Sequence, residues 1–430
     1  MSKDLLDGNK RVSRRTLLKG AGLAAGTLAF GRIGAFGQQD IVIGAAIPLT
    51  GGLASFGPRF QVAAQIALDE VNAAGGLLGG RKVKLEVRDD GTNPTQAVAA
   101  ATDLVTVLGV QALFGDASSG ATIPVATSVT VPNKVIQISP SATSPAITNL
   151  ADNDFLFRTA PPDTLQGIVL ANLAYRWKGF RKIGIVARND AYGAGLADSL
   201  KANFEKEGGT VSALALYETN VTDFSAQIAA ASAGNPDAIS LITFDEGEQL
   251  ITQMVQAGVT NFDLLVDGNK NQDLIDRLVA SVGAAILNGK GGTAPALAPG
   301  PGGGAFEAEY RKRQNEDPFV YTPHSYDALA LLCMAIEAAG KYDGTAIRDS
   351  IRKVSNPPGD VVTVGQLGQA LAAIRAGKDV NYEGASGSVD LDAAGEPVGP
   401  VGTWQIVNGK IVDATVPYAC VAGPPPSCKP

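Results

Sequence analysis

The chain has 430 residues, room for two or more domains of ordinary size, and its 45 % apolar content excludes a globally disordered chain. One His (His324) and three Cys (Cys333, Cys420, Cys428) exclude a His/Cys metal cluster and leave a His-based hydrolase a single candidate base. The formal net charge is −7 for the whole chain and −12 without residues 1–37, and the negative charge of that larger part argues against nucleic acid and anionic lipid surfaces as partners.

Residues 1–37 have the pattern of a signal peptide. They carry seven Lys/Arg and two Asp, a net of +5, so the remaining 393 residues carry −12. The basic region ends at Ser13–Lys19, an apolar Gly/Ala-rich stretch follows over Gly20–Phe30, and Ala35-Phe36-Gly37 fits a cleavage site. The paired arginines resemble a twin-arginine export signal, whose substrates cross the membrane folded. The alternative, an uncleaved anchor, is disfavoured because the apolar stretch is short. The mature protein is therefore predicted to be exported, to a periplasmic or other extracytoplasmic location.

After residue 38, short β-rich runs alternate with longer helical runs. The pattern predicts a first series of elements: strands at 41–47, 83–87, 110–114 and 135–139, with helices at about 58–74, 95–108 and 123–131. The rhythm breaks near 157–162 and then restarts. The second series has strands at 182–187, 211–217, 237–243 and 263–266, with helices at about 164–178, 195–207, 224–231, 247–257 and 272–281. Strands joined by crossover helices predict parallel, doubly wound α/β sheets, and two series predict two lobes.

A third region starts with a Gly/Pro/Ala-rich connection at 288–304. It continues with predicted helices at about 305–315, 325–339 and 345–354 and ends in β-like runs around an Asn408-Gly409 hairpin turn. Cys420 and Cys428 lie close together in a Pro-rich tail, and an oxidising compartment lets them pair as a disulfide. Cys333 lies in an apolar run and is expected to be a buried thiol.

Polar loops follow the strands of the first series, where an open parallel sheet binds its ligands. The loops are Gly115–Gly120, which contains Ser118 and Ser119, and Ser139–Ser144, which contains Ser141 and Thr143. Their hydroxyls and backbone N–H groups suit a carboxylate, but Ser and Thr at these positions are also ordinary helix N-caps. The spacing alone does not choose between the two interpretations.

In the second series, Tyr192 lies in a loop at the equivalent sheet end, and Asp267 and Phe244-Asp245-Glu246 follow two further strands. Carboxylates there suit an ammonium group, although helix N-capping is the alternative and is favoured for Glu246 and Glu248. A dinucleotide interpretation of Gly193–Asp198 fails because five residues separate the strand from the first glycine. No phosphate-binding, nucleophile-elbow or zinc-protease motif occurs in the sequence, so neither an enzyme nor a cofactor is predicted.

Several segments together resemble the branched-chain amino-acid type of solute-binding protein that serves ABC importers. They are IVIGAAIPLTGGLASFG from Ile41, QVAAQIALDEVNAAGGLLGGRKVKLEVRDDGTNP from Gln61, ISPSATSP, VARNDAYGAGLADSLK, ITFDEGEQLITQMVQAGV and GSVDLDAAGEPVGPVGTWQIVNGK. The resemblance spans nearly all of the mature chain. It implies the type I periplasmic-binding-protein fold, with two doubly wound parallel-sheet lobes joined by a three-stranded hinge. The expected boundaries are 38–158 plus about 285–390 for one lobe, and 159–284 plus about 391–430 for the other.

The resemblance also implies roles for individual residues around an amino acid or related small ligand. The α-carboxylate is expected on the first lobe, at Ser119 (beside Ser118) and the backbone groups of Ser141 and Thr143, with Ala142 on the same wall. Tyr192 is expected to cover the ligand, Asp267 to bind the α-ammonium group, and Phe244 to pack against the ligand. Family members that bind aliphatic amino acids often have a cysteine pair in the first lobe, which is missing here.

The implied mechanism is capture of the ligand by closure of two lobes, followed by delivery to a membrane permease. A monomer is expected. A ligand-sensing module of the same fold, which signals to a partner instead of a permease, is the main alternative. An exported enzyme is a second alternative, although the cleft supplies only carboxylates as bases.

Overall fold

The computed structural model describes residues 39–297, 300–414 and 416. The predicted signal peptide and the predicted Cys420–Cys428 disulfide lie outside these residues. In the described part of the chain, no helix has both the length and the apolar character needed to cross a membrane.

The first lobe is built on a five-stranded parallel sheet. Its strand order is β2-β1-β3-β4-β5, with β1 (Ile41–Ile47), β2 (Val83–Asp89), β3 (Ala112–Gly115), β4 (Ile136–Ser139) and β5 (Leu156–Arg158). The helices of this series are α1 (Gly57–Ala73), α2 (Pro94–Thr102), α3 (Ser119–Val125) and α4 (Pro145–Thr148). Phe60, Ala63, Ala67 and Val71 form the buried face of α1 that their helical spacing predicts.

The second lobe repeats this construction on a four-stranded parallel sheet of order β7-β6-β8-β9. Its strands are β6 (Lys182–Arg188), β7 (Thr210–Tyr217), β8 (Ala238–Ile242) and β9 (Phe262–Asp263). Its helices are α5 (Asp163–Asn172), α6 (Ala191–Lys206), α7 (Ser225–Ser232), α8 (Gly247–Gln256), α9 (Gln272–Val282) and α10 (Ala284–Leu287), with a short 3₁₀ turn at Asp267–Asn269. Two parallel sheets covered by crossover helices confirm the predicted α/β fold class.

The remaining chain returns to the first lobe and then leaves it again. Its elements are β10 (Gly291–Pro295), α11 (Pro301–Gln314), α12 (Thr322–Ala339), α13 (Gly344–Ser355), β11 (Asp360–Val362), α14 (Leu367–Arg375), β12 (Val380–Tyr382), β13 (Val401–Val407) and β14 (Lys410–Asp413). Helix α12 packs against α1, α13 and α14, and Cys333 is buried within it. The predicted hairpin turn at Asn408-Gly409 joins β13 to β14.

The chain passes between the lobes three times: between β5 and α5, between β10 and α11, and between β12 and β13, in the segment that contains residues 392–400. Strand β10 pairs with β13 in a small antiparallel sheet and contacts α5, so the second crossing follows Pro295. The assignment of all residues to lobes at 158, 285 and 390 stays a prediction. In both main sheets the strand order reverses beside the first strand of the series, which creates a crevice at the carboxyl ends of the strands.

Candidate functional site

A narrow cavity of about 10 Å³, enough space for roughly one water molecule, lies between the carboxyl ends of the two sheets. It is lined by Leu53, Phe56, Ala117, Ser118, Ser119, Ser141, Tyr192, Phe244, Asp267, Gly268 and Tyr321. Six of the eight predicted ligand-binding residues are therefore brought together. Ala142 and Thr143 do not line this cavity: Ala142 packs in a small apolar cluster with Ala126, Ile147 and Leu156, and Thr143 is fully buried next to it.

We call the loops at 115–119 and 139–145 the first-lobe wall, and they are held together by their own hydroxyl groups. The Ser139 hydroxyl donates to the Asp116 carbonyl (2.5 Å), and the Ser141 hydroxyl donates to the Ala117 carbonyl (2.9 Å). The Ser119 Oγ accepts from the Ser144 N–H (3.1 Å), which leaves its own proton available to donate. Ser118 occupies the N-cap position of α3 without a capping hydrogen bond, so the N-capping interpretation does not hold for it.

In the loop at 139–145, Thr143 has polar groups without a hydrogen-bond partner among the described residues. Its carbonyl accepts from the Asp163 N–H (2.8 Å), but its hydroxyl has no partner among the described residues, and neither has its N–H. A buried backbone N–H without a partner is rare and costs stability. Thr143 therefore has a buried N–H without a partner and a hydroxyl beside the Asp163 carboxylate, although the residue does not line the cavity in this closed form.

The second-lobe wall consists of Tyr192, Phe244 and Asp267, and the Asp267 carboxylate is its centre. The Tyr192 hydroxyl and the Gln166 amide donate to Oδ1 (2.9 and 2.7 Å), and the Tyr321 hydroxyl donates to Oδ2 (2.8 Å). Burial raises the pKa of Asp267, while these hydrogen bonds act in the opposite direction. A carboxylate held by three donors at the edge of a cavity has a fixed position and retains acceptor capacity for a cation.

Sequence reasoning missed Asp163, the first residue of α5. It is fully buried, and both of its carboxylate oxygens lack a hydrogen-bond partner. Burial, followed by the nearby charge of Asp267, holds the pKa of Asp163 well above its ordinary value. Asp163 and Asp267 are 104 positions apart, and only the fold brings the two acids together.

The aromatic part of the second-lobe wall is a stacked pair. The Tyr192 and Phe244 rings lie 5.1 Å apart at 18°, and the Arg188 guanidinium lies 3.9 Å from the Phe244 ring centre. Arg188 is in turn held by Asp190 (2.9 Å) and by Glu246, which also accepts from the Tyr217 hydroxyl. Glu246 therefore holds Arg188 against the Phe244 ring and does not line the cavity.

Tyr321 was also missed. It comes from the loop before α12, on the chain that has returned to the first lobe, and no strand end marks its position. Its backbone adopts φ of 68°, in the left-handed region that a bulky residue rarely occupies. Such an outlier is often found at a functional site, and here it accompanies the hydrogen bond to Asp267. The other missed lining residues, Leu53 and Phe56, belong to the loop after β1.

The only described His and Cys, His324 and Cys333, do not line the cavity, although the His324 ring lies 5.5 Å from the Tyr321 ring. His324 is buried, and burial lowers its pKa to about 3, so its imidazole is neutral. Burial also raises the pKa of the Cys333 thiol to about 12. Among the described residues no group of three or more His, Cys, Asp or Glu side chains is arranged to hold a metal ion.

Direct contacts join the lobes beside the cavity, so the structure is a closed form. The Asp245 N–H donates to the Gly52 carbonyl (3.2 Å), and the Asn271 amide donates to the Ser55 hydroxyl (3.0 Å). Further along the same edge, Arg59 on α1 pairs with Asp273 on α9 at 3.1 Å. The loop after β1 thus contacts the second lobe on one side and the cavity on the other.

Comparison with known proteins identifies the family of this chain. The family model described as periplasmic binding protein matches residues 40–394. A Leu/Ile/Val-binding protein homolog 1 of Brucella melitensis is 30 % identical over 344 residues, covering 79 % of this chain and 88 % of that relative. A chemotactic signal transduction system substrate-binding protein, BasB of Halobacterium salinarum, is 28 % identical and covers 84 % of this chain and 85 % of its own.

Among solved structures, a leucine-binding protein LivK from Thermotoga maritima superposes with a TM-score of 0.74 at 27 % identity. The match covers 87 % of this chain and 98 % of that protein. These relatives are all named as binding proteins. The chain therefore belongs to the periplasmic binding protein family, in its branched-chain amino-acid type.

Proposed function

We propose that this protein captures a neutral amino acid, in its zwitterionic form, between two closing lobes and delivers it to the membrane permease of an ABC importer. One observation carries the proposal: the cavity has a carboxylate on one wall, neutral donors on the other, and no Lys, Arg or His among its lining residues. A ligand with a net negative charge would meet Asp267 without a compensating cation, which is costly in a buried site.

The ammonium end of the ligand binds at Asp267 in this proposal. Tyr192, Gln166 and Tyr321 fix the carboxylate, and Asp163 lies behind it. The Tyr192 ring covers the ligand and stacks on Phe244. An incoming ammonium group supplies Asp267 with a counter-charge inside the cavity, where no Lys, Arg or His is among the lining residues.

The carboxylate end binds at the first-lobe wall. The free proton of Ser119 and the unpartnered N–H and hydroxyl of Thr143 donate to it, next to the loop residues Ser118, Ser141 and Ala142. The Ser141 hydroxyl is already bonded to Ala117, so Ser141 contributes through its backbone. The remaining lining residues, Leu53, Phe56 and Phe244, are apolar, which favours a short apolar ligand side chain.

Calorimetry and thermal-shift measurements with a matched ligand set test this assignment. We expect L-leucine or L-valine to bind, whereas 4-methylpentanoate (no ammonium) and isopentylamine (no carboxylate) bind at least about 100-fold more weakly. Benzoate is the negative control, because it offers no cation to Asp267. Tight binding of benzoate or 4-methylpentanoate, with no binding of amino acids, would contradict the proposal.

A sensing role is a second candidate, supported by the similarity to a chemotactic signal transduction protein. The same closed form would then be recognised by a signalling partner instead of a permease. Uptake of labelled L-leucine by cells that lack this protein separates the two roles. Transport predicts reduced uptake, whereas sensing predicts normal uptake and a lost response to the ligand.

We further propose that the protein is a monomer exported by the twin-arginine route. The basic segment with Arg14-Arg15 and the small residues at 35–37 support this route. Replacing both arginines by lysine is expected to leave the precursor in the cytoplasm. Export at the normal level would favour a different route.

A further inference from the structure

We propose that Arg158, a buried residue that does not line the cavity, is a positioning residue for the carboxylate-binding loop at 139–145. This inference rests on the proposed function, because it assigns the first-lobe wall to the ligand carboxylate. Arg158 is the last residue of β5 and is 1 % exposed. Its guanidinium makes contacts in two directions, towards the loop and towards the third segment that connects the lobes.

On the loop side, Nη1 of Arg158 donates to the carbonyls of Ala142 (3.2 Å) and Ser144 (3.0 Å). In a planar trans peptide the carbonyl and the following N–H point in opposite directions. Holding the Ala142 carbonyl towards Arg158 therefore turns the Thr143 N–H away from it. The donor that the protein leaves unpartnered is thus oriented by a side chain that cannot itself reach the ligand cavity.

On the other side, Nε of Arg158 donates to Glu396 (2.9 Å), and Nη2 contacts both Glu396 and the Thr148 hydroxyl (2.8 Å). The Thr148 hydroxyl also contacts Glu396 Oε2 (3.0 Å). Glu396 lies in the connecting segment 392–400, and the preceding Gly395 accepts from the Arg158 N–H (3.0 Å). Every hydrogen-bonding direction of this guanidinium is therefore used, and one end of the hinge is tied to the loop.

Gly395 shows how closely the connecting segment approaches β5. Its φ is 75°, and a Cβ at this position would lie 2.9 Å from the Phe157 ring and 3.0 Å from the Leu156 carbonyl. Only glycine fits there without a shift. The segment is thus packed against the strand at the point where Glu396 meets Arg158.

The planar guanidinium of Arg158 donates to four different groups from one position: the Ala142 and Ser144 carbonyls, the Glu396 carboxylate and the Thr148 hydroxyl. Lysine carries the same charge but presents a compact ammonium group, so it cannot bridge Glu396 and two loop carbonyls together. Arg158→Lys is therefore expected to release the loop while it keeps a cation beside Glu396. Arg352→Lys is the matched control, since Arg352 holds Asp154 and the carbonyl of Asp392 in the same connecting segment but does not touch the loop.

Calorimetry with L-leucine and L-leucinamide separates positioning from a general structural role. The two probes differ only in the carboxylate, so a misplaced Thr143 N–H lowers the affinity for L-leucine more than that for the amide. For Arg158→Lys we expect a loss of roughly 10- to 100-fold for L-leucine and less than about threefold for L-leucinamide. Arg352→Lys is expected to leave both affinities unchanged. Equal losses for both probes, or no loss, would overturn the proposal.

Amide hydrogen exchange on the ligand-free protein gives a second measurement that needs no ligand. Peptides that cover residues 139–147 are expected to exchange at least about tenfold faster in Arg158→Lys than in the wild type or Arg352→Lys. If the wild type binds no neutral amino acid, the proposed function fails, but this exchange still decides whether Arg158 holds the loop. Unchanged exchange overturns the positioning role.

A double variant, Arg158→Met with Glu396→Met, covers the case in which Arg158→Lys does not fold. Replacing both partners of a buried pair by apolar side chains of similar volume is often tolerated. This variant is expected to fold, to exchange faster at 139–147 and to lose affinity for L-leucine selectively. Wild-type affinity in the folded double variant would show that the pair does not position the loop.

Discussion

The two walls of the cleft differ in their chemistry and in how the chain builds them. The first-lobe wall is neutral and local: its donors come from two loops within 30 residues, at the ends of adjacent strands β3 and β4. The second-lobe wall is charged, and the residues around its carboxylate are far apart in the sequence. Asp267 takes its hydrogen bonds from Gln166, Tyr192 and Tyr321, which lie on three different elements.

The two walls differ in how much their ligand-binding groups destabilise the ligand-free protein. Neutral donors on the first-lobe wall lower the stability of the ligand-free protein only modestly, because only a few buried N–H and hydroxyl groups lack a partner. The second-lobe wall holds Asp267, with the buried acid Asp163 behind it, and burial raises the pKa of both although the charge of Arg158 acts on Asp163 in the opposite direction; the pair is unfavourable until an ammonium group arrives. We therefore expect the second-lobe wall to dominate both ligand affinity and the stability change on binding.

The largest expected effect is the loss of the Asp267 charge. Asp267→Ala is expected to weaken binding of L-leucine by roughly 2–5 kcal/mol, the range for truncating one partner of a buried charge pair. Asp267→Asn keeps the shape and most hydrogen bonds, and it should lose nearly as much. Calorimetry measures both, with circular dichroism as the control for folding. Unchanged affinity in the Asn variant would show that the ammonium group binds elsewhere.

The next effect concerns the ligand-free protein and runs in the opposite direction. Because burial raises the pKa values of Asp163 and Asp267, the folded protein holds a proton that the unfolded chain has already released. Unfolding then releases protons, so stability falls as the pH rises from the ordinary aspartate range through the raised pKa values. Asp163→Asn is expected to flatten this decline and to stabilise the ligand-free protein at pH 7 by at least about 1 kcal/mol.

Chemical denaturation between pH 4 and pH 8 checks this expectation. A second buried acid pair, Asp90 and Asp116 in the first lobe, contributes to the same pH dependence, since burial raises the pKa of Asp90 to about 7. Asp90→Asn, outside both walls, is therefore the matched control, and only Asp163→Asn should also lower affinity for L-leucine. An Asp163→Asn variant that is less stable at pH 7 would contradict the prediction.

The sequence predicted lining residues on both walls, for a physical reason. Parallel strands bring their carboxyl ends to one edge, so Ser118, Ser119 and Ser141 could be placed together from strand positions alone. Tyr192, Phe244 and Asp267 follow strands in the same way, and the structure brings them to the same cavity. The fold class was equally accessible, because alternating strands and helices leave few topologies.

What the sequence could not show depends on contacts that have no local pattern. Asp163 begins a helix and looks like any acidic residue of a first turn. Tyr321 belongs to a loop of the returning chain, and its left-handed backbone is visible only in three dimensions. Thr143 and Ala142 were placed on the cavity wall by resemblance, yet neither lines the cavity in this closed form. Their carbonyls are used by Asp163 and Arg158, which are fixed by packing and not by spacing.

A smaller effect is expected on the first-lobe wall. Ser119→Ala removes one neutral donor and also the acceptor of the Ser144 N–H, and it is expected to weaken L-leucine binding by about 0.5–1.5 kcal/mol. Thr127→Ala is the matched control, because the Thr127 hydroxyl donates to the Ile123 carbonyl (3.0 Å) and Thr127 lies outside both walls. Calorimetry on both variants should separate them. A Ser119 loss as large as that of Asp267→Ala would remove the asymmetry between the two walls.

The smallest effect is expected at the contacts that close the lobes. Arg59 pairs with Asp273 across the cleft in a partly exposed site, and such pairs contribute about 0.2–1 kcal/mol. Asp273→Asn removes this attraction from the closed form only, so it should weaken L-leucine binding by that amount and mainly increase the dissociation rate. Arg313→Gln, which breaks the exposed pair with Asp69 within the first lobe, is the control and should leave the rate unchanged. Stopped-flow kinetics at low and high salt measures both, and the Asp273→Asn effect should shrink as salt screens the pair. If the loss of L-leucine affinity in Asp273→Asn is the same at high salt, Asp273 acts through the packing of α9 and not through its charge. The closed form is then stabilised by apolar contacts and hydrogen bonds between the lobes.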